Sequence, residues 1–230
     1  MTPAITAVRL TGSARRAELP LLVLGPAIGT SAANLWGACA AHLAEDFDIL
    51  AWDLPGHGHN RSVPDEPCSI AELAAGVLVV VEDVLAQRDE LGGPFAYAAG
   101  SVGGVVGLQL LLDAPDRIES AVLLCAESTA PEERVAASAG TASLVEAGSA
   151  RVREALADFD VRDRLGEIRA PVLAVARTDD PIPTGEHLRA LAIGSCGDRP
   201  KDPGDLLPAE RPVEVATVIR RQVLGESVRR

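Results

Sequence analysis

The sequence is poor in aromatic residues and in positive charge. Phe, Trp and Tyr make up 3% of the 230 residues, so the core must be built mainly from Ala, Val and Leu, and a large aromatic-lined pocket is not expected. The 33 acidic residues outnumber the 21 Lys and Arg residues, which leaves a net charge of −12. Because nucleic acids and anionic membranes are bound by basic patches, this balance argues against both as partners.

Signals for export, membrane insertion and metal binding are also missing. No apolar run reaches the roughly 18 residues of a membrane helix, and residues 1–18 lack the continuous apolar segment of a signal peptide. The four cysteines form no Cys-x-x-Cys pair, which argues against a zinc site. Cys39 and Cys125 lie in apolar stretches that are typical of small buried residues. We therefore expect a cytoplasmic protein that holds no metal or other cofactor and does not bind membranes.

Strand and helix patterns alternate along the chain. Strands are predicted over 5–12, 20–26, 47–55, 94–99, 119–126 and 171–177. Helices are predicted over 34–46, 69–91, 102–116 and 211–226. In the second helix, Ser69 and Glu72 have the spacing of a capping box. This alternation predicts an α/β fold, with a mainly parallel sheet flanked by helices on both faces.

Two stretches interrupt the alternation. Residues 126–170 are polar, rich in Ala and helical in pattern, which is typical of an insertion or lid on a sheet. Residues 197–205 contain two prolines, two glycines and five charges, so they predict an irregular loop. The predicted organisation is a first core segment (1–125), a helical cap (126–170) and a second core segment (171–230).

Ser101 lies between a short predicted strand and a predicted helix, in the sequence AGSVGG. A serine nucleophile on such a turn needs small residues two positions before and after it, because strand and helix crowd there. Ala99 and Gly103 meet that need. The N-terminus of the helix would favour negative charge developing near the serine. The alternative is a glycine-rich turn in which Ser101 only caps the helix.

Two further Gly-rich loops follow early strands, within residues 23–36 and 51–60. A loop in the first position can supply the second backbone N–H of an oxyanion hole. The stretches that bear on function are AIGTSAANLW (27–36), WDLPGHGHN (52–60), AGSVGG (99–104) and PVLAVARTDDP (171–181). Together they resemble the α/β-hydrolase superfamily, and among its members they are most similar to the 3-oxoadipate enol-lactonases. Those are cytoplasmic, cofactor-free serine hydrolases that open a lactone ring in the β-ketoadipate pathway of aromatic catabolism.

The resemblance assigns a role to several residues. It implies that Ser101 is the nucleophile and that the N–H groups of Ile28 and Val102 form the oxyanion hole. It implies that Asp180 is the triad acid, with the adjacent Asp179 as the alternative. The implied ligand is a small lactone or ester; the oligomeric state is not indicated.

The base position of the family holds a different residue. The family has a histidine shortly before the last helix, where this chain reads GDLLPAERP (204–212), so Asp205 stands in the place of the base. A carboxylate with an ordinary pKa near ~4 is a weak base toward a serine hydroxyl. The strand expected just upstream is replaced by the loop at 197–205.

None of the four histidines matches the base position. His42 is expected on a helix surface, His57 and His59 in a turn that supports the site, and His187 solvated on a helix after Asp180. A substitute base would have to be His187 or one of the turn histidines.

The cap is shorter than that of the family, which would leave the site open to water and remove substrate contacts. Arg134, Arg151 and Arg153 are candidate cations for a substrate carboxylate, or else part of an exposed helix face. Two functions follow: a lactonase-type serine hydrolase of reduced activity, or a non-catalytic α/β-hydrolase relative that binds a small molecule or a protein. A nucleotide-binding domain is disfavoured, since there is no Rossmann glycine spacing and no P-loop lysine.

Overall fold

A seven-stranded sheet forms the centre of the chain in a computed structural model, which describes residues 2–11, 18–124, 143–177, 188–193 and 207–225. The strand order is β1-β3-β2-β4-β5-β6-β7. β1 pairs antiparallel with β3, and all other neighbours pair in parallel. The strands are β1 (Thr6–Arg9), β2 (Leu21–Gly25), β3 (Asp48–Asp53), β4 (Phe95–Gly100), β5 (Ile118–Leu124), β6 (Val172–Arg177) and β7 (Leu188–Ile193).

The described helices cover both faces of this sheet and include all four that the sequence predicts. They are α1 (Ala32–Leu43), α2 (Ile70–Ala86), α3 (Ser101–Asp113), α4 (Leu144–Ala157), α5 (Leu207–Glu210) and α6 (Pro212–Leu224), with a 3-10 helix at Arg162–Glu167. The capping box at the start of α2 is confirmed, because Glu72 N donates to Ser69 Oγ and Ser69 N donates to Glu72 Oε2.

Strand β2 shows why the sheet needs helices on both sides. All five of its residues are buried. Leu21 and Val23 pack into a core with α2 and α3, whereas Leu22 and Leu24 pack into a second core with α1 and α6. Cys39 is buried in the second core as expected, and burial raises the pKa of its thiol to about 12. Cys125 lies outside the described residues. The predicted α/β fold is confirmed.

The C-terminal part of the sheet corrects two predictions. Residues 188–193, which we expected to continue a helix from His187, form β7 instead and pair in parallel with β6 along their whole length. The strand that we expected to be lost before the last helix is therefore present, upstream of the 197–205 stretch. A short apolar run such as LRALAI fits either a helix or a strand, and here the backbone hydrogen bonds to β6 decide the outcome.

The predicted cap is only partly described. Its described part, 143–170, contains α4 and the 3-10 helix and no strand. Helix α4 begins with its own capping box, since Glu146 N donates to Ser143 Oγ and Ser143 N donates to Glu146 Oε2. This helix lies against the turn that follows β3, as described below.

Candidate active site

Ser101 occupies a sharp turn between β4 and α3, as the sequence predicts. Its φ of 50° lies in the left-handed region, which is uncommon for a residue with a side chain and is a form of backbone strain found at functional sites. Gly100, the N-cap of α3, provides no side chain to bond the first N–H groups of the helix. The half-buried Ser101 therefore lies where backbone donors are left for another acceptor.

Two glycines allow the close approach of β2 and β4 to the start of α3. A methyl group on Gly103 would lie 2.5 Å from the carbonyl oxygen of Pro26. Gly25 pairs directly with Ala99 in the sheet, and a methyl group on Gly25 would lie 2.7 Å from the Ala99 methyl. Ala99 is therefore accommodated at this turn because its neighbour on β2 has no side chain.

Tyr97 of β4 fixes the first turn of α3. Its fully buried hydroxyl donates to the carbonyl oxygen of Gly103 at 2.8 Å. Its ring fills the space beside Gly107, where a methyl group would lie 2.6 Å from Cε1. Tyr97 was not among the predicted site residues; its signal is that the single tyrosine of the sequence lies in an otherwise apolar strand.

The loop between β2 and α1, residues 26–31, is here called the candidate oxyanion loop. Gly103 N donates to Pro26 O at 3.0 Å, which joins the loop to the serine turn. The indole Nε1 of Trp36 donates to Gly25 O at 2.7 Å and fixes the end of β2. Thr30 closes a turn within the loop by donating through its N and Oγ1 to Ala27 O.

The two predicted oxyanion donors are Ile28 and Val102. They lie on the candidate oxyanion loop and on α3, which the hydrogen bond from Gly103 N to Pro26 O joins. Ile28 lies in the turn of the candidate oxyanion loop, and Val102 lies in the first turn of α3. Neither backbone N–H donates a hydrogen bond to another described residue. These two N–H groups, which have no acceptor among the residues described, could bind a developing oxyanion.

Asp53 ties the same loop to the turn after β3. This carboxylate is fully buried, and it accepts from Ala32 N at 2.7 Å and from His59 N at 2.9 Å. Gly58 packs so closely on the carboxylate that no side chain would fit there. A carboxylate at the N-terminus of α1 is also stabilised by the helix dipole.

His57 is buried in this turn, and both ring nitrogens are engaged. Nδ1 lies 2.9 Å from Pro55 O, while Nε2 lies 3.0 Å from Gly29 N and 3.1 Å from Ser149 Oγ. Burial lowers the pKa of the imidazole, with the nearby charge of Arg153 acting in the same direction. That this turn supports the site and does not supply its base stays a prediction.

The two other described histidines lie elsewhere in the hydrogen-bond network or on the surface. His59 is exposed, with Nδ1 3.4 Å from Asp53 Oδ2. His42 is exposed on α1, as expected. No hydrogen bond joins a histidine ring to Ser101 among the described residues. The remaining residues predicted near the base and acid lie outside the described residues: Asp179, Asp180, His187 and Asp205.

Of the three candidate cations, two are described. Arg151 already has partners within the chain, because it pairs with Glu154 at 2.8 Å and donates to Asp65 O at 2.6 Å. Arg153 is exposed on the same helix. Arg134 lies outside the described residues. Their role toward a substrate carboxylate stays a prediction.

No group of three or more His, Cys, Asp or Glu residues is arranged to hold a metal ion in the described part of the chain. None of the helices described is both long and apolar enough to cross a membrane.

The fold and the serine turn together define an α/β hydrolase. The model of the alpha/beta hydrolase fold family matches residues 20–155, and the chain belongs to that family. It is 28% identical over 222 residues to a Pseudomonas savastanoi protein named as the carbamate hydrolase RutD, covering 77% of this chain and 82% of that protein.

Two further relatives carry the enol-lactonase name. The chain is 27% identical over 208 residues to 3-oxoadipate enol-lactonase 2 of Acinetobacter baylyi, covering 74% of each chain. The crystal structure of the enol-lactonase from Burkholderia xenovorans superposes with a TM-score of 0.72 at 21% identity, covering 96% of both chains. That similarity demonstrates the shared fold.

Proposed function

We propose that the chain is a serine hydrolase that opens a small lactone or ester, of the kind represented by 3-oxoadipate enol-lactone in aromatic catabolism. Ser101 Oγ loses its proton to a base and attacks the carbonyl carbon, and the N–H groups of Ile28 and Val102 bind the oxyanion of the tetrahedral intermediate. Collapse of the intermediate breaks the ester C–O bond, the departing oxygen takes up the proton, and water then hydrolyses the acyl-serine. The single observation that carries this proposal is the left-handed backbone of Ser101 at the uncapped start of α3. Strain of this kind persists where surrounding packing imposes it, and it is frequent at active sites.

The proposed activity is slow. We assign Asp180 as the triad acid and place Asp205 at the base position, where the family has a histidine. A carboxylate near its ordinary pKa removes a serine proton poorly at neutral pH. A site that lacks a triad member still retains catalysis from the oxyanion hole and from binding, so we expect turnover well below that of a complete triad.

The names of the relatives suggest two substrate classes for this site. Enol-lactonase and carbamate hydrolase both describe attack on an acyl carbon, which this site would support in the same way. We favour the lactone, since the motif combination of the oxyanion loop and the serine turn resembles that branch. Assays with 3-oxoadipate enol-lactone, an N-unsubstituted carbamate and 4-nitrophenyl acetate separate the classes.

The direct test is labelling with a fluorophosphonate probe. Ser101 should react in the wild type and not in Ser101→Ala, and the same substitution should abolish hydrolysis of 4-nitrophenyl acetate. Absence of labelling together with absence of hydrolysis of all three substrates would refute the proposal.

A non-catalytic relative is the second candidate. It is favoured by the engagement of both nitrogens of His57 and by the lack of any described histidine on Ser101. Asp205→His distinguishes the two functions. A large gain in ester hydrolysis would support the position assigned to the base, whereas no gain and no labelling would favour the binding role.

A further inference from the structure

A chain of hydrogen bonds runs from the cap helix α4 to the candidate oxyanion loop. Ser149 Oγ lies 3.1 Å from His57 Nε2, and the same nitrogen lies 3.0 Å from the backbone N of Gly29. Both side chains are buried, with 1% of His57 and 4% of Ser149 exposed. The contact between Ser149 and His57 joins residues 92 positions apart. We call these contacts the Ser149–His57–Gly29 chain.

The partners of His57 determine its protonation. The N–H of Gly29 can only donate, so Nε2 must be unprotonated and accept. The carbonyl of Pro55 can only accept, so Nδ1 carries the proton. His57 is therefore neutral. Its Nε2 has one lone pair, which accepts from Gly29 N at 3.0 Å and is shared with the hydroxyl of Ser149 at 3.1 Å. The charged residues that act on the ring are Asp53 of β3 and Arg153 of α4, which have opposite effects on its charge.

Helix α4 packs closely against the turn that contains His57. Gly148 packs directly on Pro55 O, leaving no space for a methyl group. Gly56, at φ 76°, would place a methyl group 2.5 Å from the carbonyl oxygen of Leu144. This close packing of glycines sets the position of Ser149 relative to the ring of His57.

The other end of the chain controls a peptide plane next to the oxyanion donor. Gly29 N belongs to the peptide bond that joins Ile28 to Gly29, and Gly29 has a φ of 81°. Holding this N–H on His57 fixes the orientation of that peptide, one residue along from the Ile28 N–H. A small rotation there would move a donor away from a developing oxyanion, and misplacement of this kind is costly to the rate.

We propose that His57 is a positioning residue that keeps the candidate oxyanion loop in the conformation needed for catalysis. Because Ser149 of α4 contacts the same ring, the position of the loop depends on the docking of α4. The inference rests on the proposed function, and it adds a connection between cap and oxyanion hole. Displacement of α4 would release His57 and loosen the loop.

The test compares four variants: His57→Leu, His57→Gln, Ser149→Ala and the control His42→Gln, whose side chain is exposed on α1. Two quantities are measured, the hydrogen exchange of the Gly29 amide by NMR, and kcat and KM for 4-nitrophenyl acetate. His57→Leu should speed Gly29 exchange more than tenfold and lower kcat by roughly 10- to 100-fold, with KM little changed, because loss of one oxyanion donor costs about 10²–10³ in kcat. His57→Gln returns an acceptor near Nε2 and should recover part of both.

Ser149→Ala leaves the ring held only by Pro55 O and Gly29 N, so it should shift both quantities in the same direction by a smaller factor. His42→Gln should change neither. Unchanged Gly29 exchange in both His57→Leu and Ser149→Ala would overturn the proposal. So would equal losses of kcat in the Leu and Gln variants. If His57→Leu does not fold, Ser149→Ala and His57→Gln decide the matter alone. If the wild type neither labels at Ser101 nor hydrolyses esters, the proposed function fails, while the exchange rates still test the hydrogen-bond chain.

Discussion

Strand β3 carries a buried aspartate at each end, and the two are satisfied in different ways. Asp48 begins the strand at the amino edge of the parallel sheet, where it pairs with Arg88 at 2.9 Å and Arg9 at 3.3 Å. Asp53 ends the strand at the carboxyl edge, where its carboxylate accepts from backbone N–H groups. Asp48 is therefore neutralised by charged side chains, whereas Asp53 holds backbone segments in place through hydrogen bonds.

The difference shows how this sheet separates stability from function. Guanidinium partners at the amino edge hold β1 and the end of α2 on β3, far from the serine. Backbone partners at the carboxyl edge fix the start of α1, which follows the candidate oxyanion loop, and the turn after β3, which contacts that loop through His57. Ligand sites of open α/β sheets lie at the carboxyl ends of strands, which is the edge that Asp53 occupies.

The largest effect is expected from Asp48→Ala. The substitution removes a carboxylate partner from Arg88, whose side chain is 5% exposed. Breaking a buried ion pair costs about 3–5 kcal/mol. Because Arg88 keeps Glu90 as a partner, we expect about 3 kcal/mol lost from the free energy of unfolding in urea. The rate of Ser101 labelling in the folded protein should not change.

Asp46→Ala serves as the control for that experiment. Asp46 pairs with Arg220 at 2.8 Å, but both side chains are about 30% exposed. Partly exposed pairs contribute about 0–1 kcal/mol. Equal losses in Asp48→Ala and Asp46→Ala would contradict the role given to the amino edge.

Gly25→Ala tests the packing at the carboxyl edge. The new methyl group would lie 2.6 Å from Tyr97 Oη and 2.7 Å from the Ala99 methyl, and overpacking of this kind costs about 1–3 kcal/mol. Adding Ala99→Gly removes one of the two clashes, so the double variant should regain part of the unfolding free energy. Strictly additive single effects would show that the two positions are not coupled.

Asp53→Asn should separate the two edges most clearly. The amide has one acceptor oxygen in place of two, so either Ala32 N or His59 N loses its buried partner, at a cost of about 1–3 kcal/mol. We also expect slower labelling of Ser101, unlike Asp48→Ala. A variant that loses stability but labels at the wild-type rate would refute the link between Asp53 and the serine site.

Local pattern was sufficient for most of the elements and insufficient for the contacts among them. Apolar runs, the Ser69 cap and the small residues around Ser101 identified the α/β architecture and the serine turn. The sequence could not reveal that Gly25 faces Ala99, which depends on the register of β2 and β4, or that Tyr97 reaches Gly103, which depends on how α3 packs against β4. The prediction of a helix at 188–193 was wrong, because a six-residue apolar run is too short to show whether its period is that of a helix or of a strand.

His57 and His59 show the same limit at closer range. They stand two positions apart in one turn, yet one is 1% exposed and the side chain of the other 61%. What separates them is the contact of His57 with Gly29 and with Ser149 of α4, 28 and 92 positions away. Residue type and spacing cannot report contacts of that range.

The smallest expected effect is a pH dependence that belongs to the carboxyl edge. The pKa of His57 is lowered in the fold, mainly by burial, so the unfolded chain takes up a proton near pH 6.5 while the folded chain stays neutral. The unfolded state then binds more protons, and stability must fall as the pH drops from about 6.5 toward the pKa of the folded state. His57→Gln should remove this part of the pH dependence, whereas His59→Gln should retain it. Unfolding free energies measured at pH 5 to 8 decide the point: identical pH profiles for the wild type and His57→Gln would mean that the imidazole is not held neutral by the fold.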